Sequence, residues 1–316
     1  MPNYQGVWSL TTQMQNVSDW PVAPTFGFFA SQLGSGSNFI HKITIETTGN
    51  AQDVGDLTVE RYTGAGGSSL TRGVFAGGYS AASSARVNTI DYITMATAGD
   101  ASDFGDLSEA KNYLGGASNS TRALFAGGAD SNGFTKNVID YITIASTGNS
   151  QDFGDLTVSD SGLAGCASST RALFAGGYNA GSLRNVIQYN TIASTGNSTD
   201  FGDLTVARNA PGGASNATRG LFAGGSGGGT NVIDYVTIAS TGNASDFGDL
   251  TVARYGVGGA TNSTRAVFGA GLDAFYNGLD YVTIASTGNA IDFGDYATGN
   301  TYGSSMACSN GHGGLQ

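Results

Sequence analysis

The tetrapeptide Asp-Phe-Gly-Asp begins at Asp103, Asp152, Asp200, Asp246 and Asp292, and a sixth copy, Asp-Val-Gly-Asp, begins at Asp53. The intervals are 50, 49, 48, 46 and 46 residues. Periods of this size mark one supersecondary unit per repeat, stacked into a solenoid, an array or a propeller. Two further signals keep the same rhythm. A Thr-Arg pair recurs at Arg72, Arg122, Arg171, Arg219 and Arg265, and Tyr-x-Thr-Ile/Met at Tyr92, Tyr141, Tyr189, Tyr235 and Tyr281.

Each unit reads as four short strands. Leu250 to Ala260 leads into the first. Thr-Arg-Ala-Leu-Phe-Ala-Gly-Gly from Thr121 is the second, and Asn-Val-Ile-Asp-Tyr-Ile-Thr-Ile from Asn137 the third, with β-branched residues on alternate positions. Ser-Thr-Gly-Asn from Ser146 is a turn, and Gln-Asp-Phe-Gly-Asp-Leu completes the fourth strand. No stretch has clean helical periodicity. The 51 glycines and 4 prolines suit many tight turns, while 40% hydrophobic and 12% charged residues argue for a packed core over disorder.

These features predict an all-β fold: a six-bladed β-propeller of four-stranded antiparallel blades over residues 25–316, with blade steps near 57, 107, 156, 204, 250 and 296. The first blade lacks its innermost strand at the N-terminal end. Ser304 to Asn310 aligns with that strand in other repeats, so the C-terminal strand is expected to complete the first blade and close the ring. Residues 1–24, with Trp8 and Trp20, match no repeat and read as a separate docking arm.

The segment between the Gly pair and the third-strand Asn is 9, 8, 7, 5 and 5 residues long in successive blades. Subtracting these from the repeat intervals leaves a constant 41, so all length variation lies in one loop. In an antiparallel meander that loop emerges on the same face as the connections between blades. Its candidate binding residues are Tyr79 and Arg86, Phe134 and Lys136, Tyr178 and Arg184, Phe275 and Tyr276. Aromatics beside cations suit recognition of one irregular surface by a single composite site.

The repeated polar residues read as scaffold. The Asp-x-Gly-Asp carboxylates are expected to cap backbone N–H groups rather than hold calcium, which needs six or more oxygens. The Thr-Arg arginines are expected to pair with repeated Asp residues as a ladder between blades, and the third-strand tyrosines to pack in the core. Cys166 and Cys308 fall in blades on opposite sides of the ring, too far apart for a disulfide. His41 and His312 both fall in the closing blade without a metal-ligand pattern. Near-identical repeats supply no unique nucleophile, base and orienter, so no catalytic residue, metal or cofactor is expected. The net charge of −11 disfavours nucleic acid. No apolar run is long enough for a transmembrane helix, and the N-terminus lacks the pattern of a signal peptide.

The unit resembles the kelch repeat in its Gly127-Gly128 pair, Asp140-Tyr141, Phe153 and Arg208; Phe replaces the usual Trp, and Asp precedes Tyr. Runs such as Asn231 to Arg254, and Tyr4 to Gln13, are similar to repeat-containing structural proteins of marine bacteriophages. That resemblance implies a tail-fibre-like virion protein, released by lysis and held in a homo- or hetero-oligomeric assembly. It would dock on other virion proteins through the arm and present the propeller to a host glycan or protein. A free lectin-like propeller and a kelch-like interaction scaffold are the alternatives.

Overall fold

The computed structural model describes residues 23–30, 38–227, 231–271, 277–296 and 306–315. Within them the chain forms six four-stranded antiparallel sheets arranged as a β-propeller. Blade two comprises Ala65–Ser68, Arg72–Ser80, Ala85–Thr94 and Ser102–Asp106, from the axis outward. Blade three has Gly115–Ser118, Arg122–Ala126, Val138–Thr143 and Gln151–Asp155. Blade four has Ala164–Ala167, Arg171–Ala175, Val186–Thr191 and Thr199–Asp203. Blade five has Gly212–Ser215, Arg219–Ala223, Val232–Thr237 and Ser245–Asp249. Blade six has Gly258–Thr261, Arg265–Gly269, Gly278–Thr283 and Ile291–Asp295. Blade one is shared between chain ends: Met306–Ser309 pairs antiparallel with Phe26–Ala30, followed by Phe39–Thr44 and Gln52–Asp56. The ring closes as the repeat alignment predicts. The only helical piece among the described residues is the 3₁₀ turn Gly313–Leu315.

The burial pattern explains why the strands look different in sequence. The second strand is almost wholly buried, because a neighbouring blade covers each face, and its sequence is accordingly a continuous apolar run such as Ala-Leu-Phe-Ala. The fourth strand is exposed at its first two residues and buries only its Phe. Each hydrophobic cluster joins two adjacent blades. Val74 and Phe104 of blade two pack with Phe125 and Ile142 of blade three; Phe29 and Ile43 of blade one pack with Val267 and Phe293 of blade six. The core is thus a set of slabs between blades.

At the axis the innermost strands approach so closely that a side chain is excluded. A Cβ on Gly116 would sit 2.3 Å from the Gly66 carbonyl oxygen, and one on Gly165 would sit 2.1 Å from that of Gly116. Hydroxyls stitch the next position together. Ser68 Oγ donates to the Ser309 carbonyl at 2.8 Å, Ser215 Oγ to Ala167 at 2.7 Å, Thr261 Oγ1 to Ser215 at 2.8 Å and Ser309 Oγ to Thr261 at 2.9 Å.

The outer edge is clasped by the repeated turns. Gly148 N donates to the Phe104 carbonyl at 2.7 Å, Ser150 N donates to that of Asp106 at 2.8 Å, and Asn149 Oδ1 accepts from Asp106 N at 3.0 Å. The Ser-Thr-Gly-Asn turn of one blade therefore covers part of the edge strand of the blade before it. A bulge between Ile139 and Asp140 further interrupts the ladder to the fourth strand, and the same shift recurs in the other blades. Both devices blunt an edge that would otherwise pair with other chains.

Candidate functional site

Isolated pairs between Tyr62 and Tyr79, Ser161 and Tyr178, and Asn209 and Ser226 set the second-to-third loops beside the connections between blades. The described loops of variable length therefore share one face, as the meander argument expects. The opposite face carries the first-to-second turns and the C-terminal segment.

Blade two has the longest loop, a continuation of its second and third strands in which Tyr79 pairs with Arg86. Tyr79 is half-buried against Tyr62, edge to face at 5.6 Å, and Arg86 Nε donates to Asn112 Oδ1 at 2.8 Å. In blade three, Asp130 Oδ1 accepts from Asn132 N at 2.9 Å and Phe134 N at 3.0 Å, closing a tight loop that leaves Phe134 68% exposed. Lys136 bridges Asp130 at 2.9 Å and Glu109 at 3.4 Å. The Lys136 ammonium in turn holds the Asp130 carboxyl below its ordinary range. In blade four, Tyr178–Asn179 and Ser182–Leu183 form a small hairpin through Ala180 (φ 49°) and Gly181 (φ 85°). Positive φ at both central residues is the turn whose twist matches a hairpin. Tyr178 is 41% exposed. Phe275, Tyr276 and the arm residues Trp8 and Trp20 lie outside the described residues.

Adjacent loops are joined. Thr135 Oγ1 donates to Asn179 Oδ1 at 3.0 Å, and Asn179 Nδ2 donates to the Ser159 carbonyl at 2.7 Å. These bonds bring together the chain segments carrying Phe134, Tyr178 and Val158, the last 39% exposed. Val158 and the inter-loop bonds had no sequence signal, because Val158 repeats as Val59, Val206 and Val252 in the corresponding connections. The arginines and lysine of these loops are engaged by protein groups rather than held out as free charges.

Beneath the loops lies a row of buried ion pairs: Arg61–Asp91 at 2.7 Å and Lys111–Asp140, Arg208–Asp234 and Arg254–Asp280, each at 2.8 Å. Arg61 also donates to the carbonyls of Gly77 and Phe75, both at 3.0 Å, fixing the strand end from which a variable loop departs. Blade four inverts the arrangement. Asp160 stands where blades two, three, five and six have Arg or Lys, and Gln188 where they have Asp. The cation comes instead from the loop, with Arg184 Nε 3.3 Å from Asp160 Oδ1. Burial pushes the Asp160 carboxyl up to about 6, although Arg184 pulls the other way.

The face opens at its centre into an axial cavity of about 100 Å³, walled by the innermost strands. Tyr113 and Ala210 rim it at φ 58° and 53°, and Thr63, next to the lining residue Gly64, is at 60°, left-handed values that cost non-glycine residues energy. Backbone bonds hold this rim, from Tyr113 N to the Thr63 carbonyl at 2.5 Å, Gly162 N to Tyr113 at 2.7 Å and Ala210 N to Gly162 at 2.8 Å. The far end is stopped by the C-terminal segment. His312 Nε2 lies 3.1 Å from the Ser68 carbonyl, while Nδ1 accepts from Gly314 N at 3.1 Å. A carbonyl can only accept and an amide can only donate, so the ring is neutral with its proton on Nε2. Burial pushes its pKa down to about 4.

Several expectations change. The Thr-Arg arginines form a ladder between blades, but their partners are not Asp. Arg122 lies 4.9 Å over the Tyr141 ring and donates to the Ile192 carbonyl of blade four at 2.9 Å; Arg171 lies 4.7 Å over Tyr189 and donates to Ile238 of blade five at 3.0 Å. A guanidinium satisfies stacking and carbonyl bonding together, so no carboxylate is required. The tyrosines are only partly buried, each between this arginine and the fourth-strand Phe, as in the 5.6 Å Tyr141–Phe153 edge contact. In blade one the pair is reversed: Lys42 lies 3.7 Å over Phe26.

Asp-x-Gly-Asp behaves as a turn cap where Asp152 Oδ1 accepts from Gly154 N at 3.1 Å. Among the described residues no group of three or more His, Cys, Asp or Glu is placed to hold a metal ion. His41 is buried against Tyr296, ring centroids 5.1 Å apart, away from the His312 plug. Cys166 in blade four and Cys308 in blade one are buried free thiols. No family model of known proteins matches this chain, and no curated protein matches it.

Proposed function

We propose that this chain is a non-enzymatic binding propeller that engages its partner with the variable-loop face, as a structural and adhesive component of a bacteriophage particle. One observation carries the binding role. Loop length varies only on this face, and there Phe134 and Tyr178 stand exposed on loops tied down by internal bonds. A scaffold role for the repeated residues is supported by their bonds: the Thr-Arg arginines stack on tyrosines and reach the next blade, the turn asparagines clasp the preceding edge strand, and third-strand Asp residues sit in buried ion pairs. The virion assignment rests on the resemblance of the repeats to phage structural proteins, and in it residues 1–24 dock the propeller on a neighbouring subunit.

The test is binding of the purified chain to host-envelope preparations, beside a variant with Tyr79, Phe134, Tyr178 and Phe275 changed to Ala. Binding by the natural chain that the variant loses is the expected result. Absence of envelope binding by either protein would overturn host adhesion. Deleting residues 1–24 is expected to abolish incorporation into particles while envelope binding persists.

A further inference from the structure

Phe134, Val158 and Tyr178 are three of the five large hydrophobic side chains exposed among the described residues, and they sit on neighbouring segments of blades three and four. Leaving them in water is unfavourable in proportion to their area, yet the structure takes trouble to hold them there. The Phe134 loop is closed by the Asp130 carboxylate, and the Tyr178 hairpin is held by Arg184 on the buried Asp160. Thr135–Asn179 locks the two loops to each other. Aromatics displayed on pre-ordered loops lose little conformational entropy when a ligand arrives.

The size of the patch and its charge narrow the partner. Covering these side chains removes on the order of 300 Å², against about 800 Å² per side in a stable protein interface. The flanking cations, Lys136 and Arg184, are each neutralised by a carboxylate within 3.4 Å. An anionic ligand would have to break those pairs. An uncharged pyranose would not: its axial C–H face stacks on an aromatic ring, and its hydroxyls bond to nearby amide and carbonyl groups. We propose that Phe134, Val158 and Tyr178 form a subsite for an uncharged polysaccharide, a reading that rests on the variable face being the binding face.

Native electrophoresis of the full chain through gels containing dissolved neutral glucan, mannan or galactomannan, and a uronic acid polymer for comparison, tests this directly. At least one neutral polymer is expected to retard the natural chain, and the uronate is not. Phe134→Ala with Tyr178→Ala should weaken the retardation roughly tenfold or more. Tyr178→Phe, which keeps the ring, and Leu70→Ala, on the opposite face, should leave it intact. Matching thermal melts establish that the variants are folded.

Retardation by none of the neutral polymers, by the uronate alone, or equally for the double variant overturns the saccharide subsite. If envelope binding nonetheless persists and depends on the variable loops, the partner is of another class, such as a protein, and the functional reading stands. Loss of envelope binding as well removes both.

Discussion

Asp160 carries an acidic group into a position that holds a buried cation in four other blades, and His312 places a neutral imidazole at the foot of the axis. Their titrations oppose each other. Burial raises the Asp160 carboxyl from 3.8 to about 6, so the folded state keeps a proton that the unfolded chain releases, and stability falls as pH rises through that window. Burial lowers His312 from 6.5 to about 4, so the unfolded chain binds the extra proton, and this contribution is complete above 6.5 and lost as pH falls toward 4. A group protonated in only one state changes stability by about 1.4 kcal/mol per pH unit. Urea midpoints at several pH values between 4 and 6.5 separate the two. Asp160→Asn is expected to leave stability rising steeply with pH, and His312→Gln to leave it falling. Superimposable profiles for either variant and the natural chain would show that its group is not perturbed by the fold.

At the scale of elements, the innermost strands set the tightest tolerance. A Cβ at Gly165 would meet the Gly116 carbonyl and carbonyl carbon, backbone atoms that cannot swing aside. Overpacking of this kind costs roughly 1–3 kcal/mol. Gly165→Ala is expected to lower the unfolding free energy by that amount, seen as a lower urea midpoint with an unchanged slope. Gly148→Ala is the comparison: there no atom lies within 4 Å of the added carbon, and any loss reflects its φ of 152° alone.

Strand number and order were legible because the repeat interval, the apolar second strand and the turn residues all agreed on one unit. The face of the variable loops followed from strand parity. What stayed hidden was pairing that depends on a neighbour's backbone. Nothing in the Thr-Arg motif distinguishes a carboxylate from a carbonyl one blade away, and the sequence has no mark for carbonyls. The loop aromatics Phe134 and Tyr178 could be named from loop composition, yet Val158 looks like the repeated Val59, Val206 and Val252, and the commitment of Arg184 to Asp160 depends on one aspartate standing in for a repeated cation.

For the whole molecule, the last described residues touch every blade. Asn310 Oδ1 accepts from Phe26 N at 2.7 Å, and His312 reaches Ser68 and Ser118. Gly311 packs on Asn262, and Gly313 lies against Ala167 and Asn216. Removing residues 310–316 is expected to unlock the ring where its two chain ends meet, lowering the melting temperature and speeding amide exchange first in blade one. Exchange that accelerates equally in all blades would instead mean that the segment supports the ring as a whole. Because each hydrophobic slab belongs to two blades, no blade can lose its packing privately, and unfolding should appear as one transition.

The glycine contacts at the axis also bear on how such a chain can change over generations. Near-identical repeats invite unequal recombination, which adds or deletes one unit in frame and leaves each remaining unit intact. A ring with one unit more would draw its innermost strands apart, and the carbonyls that now rest on Gly66, Gly116 and Gly165 would face a widened hole. A ring with one unit fewer would drive the same atoms into collision. Blade number is therefore held by the close approach of backbone at the centre, while loops on the variable face lengthen and shorten freely. Inheritance can edit what this protein touches far more easily than how many times it repeats itself.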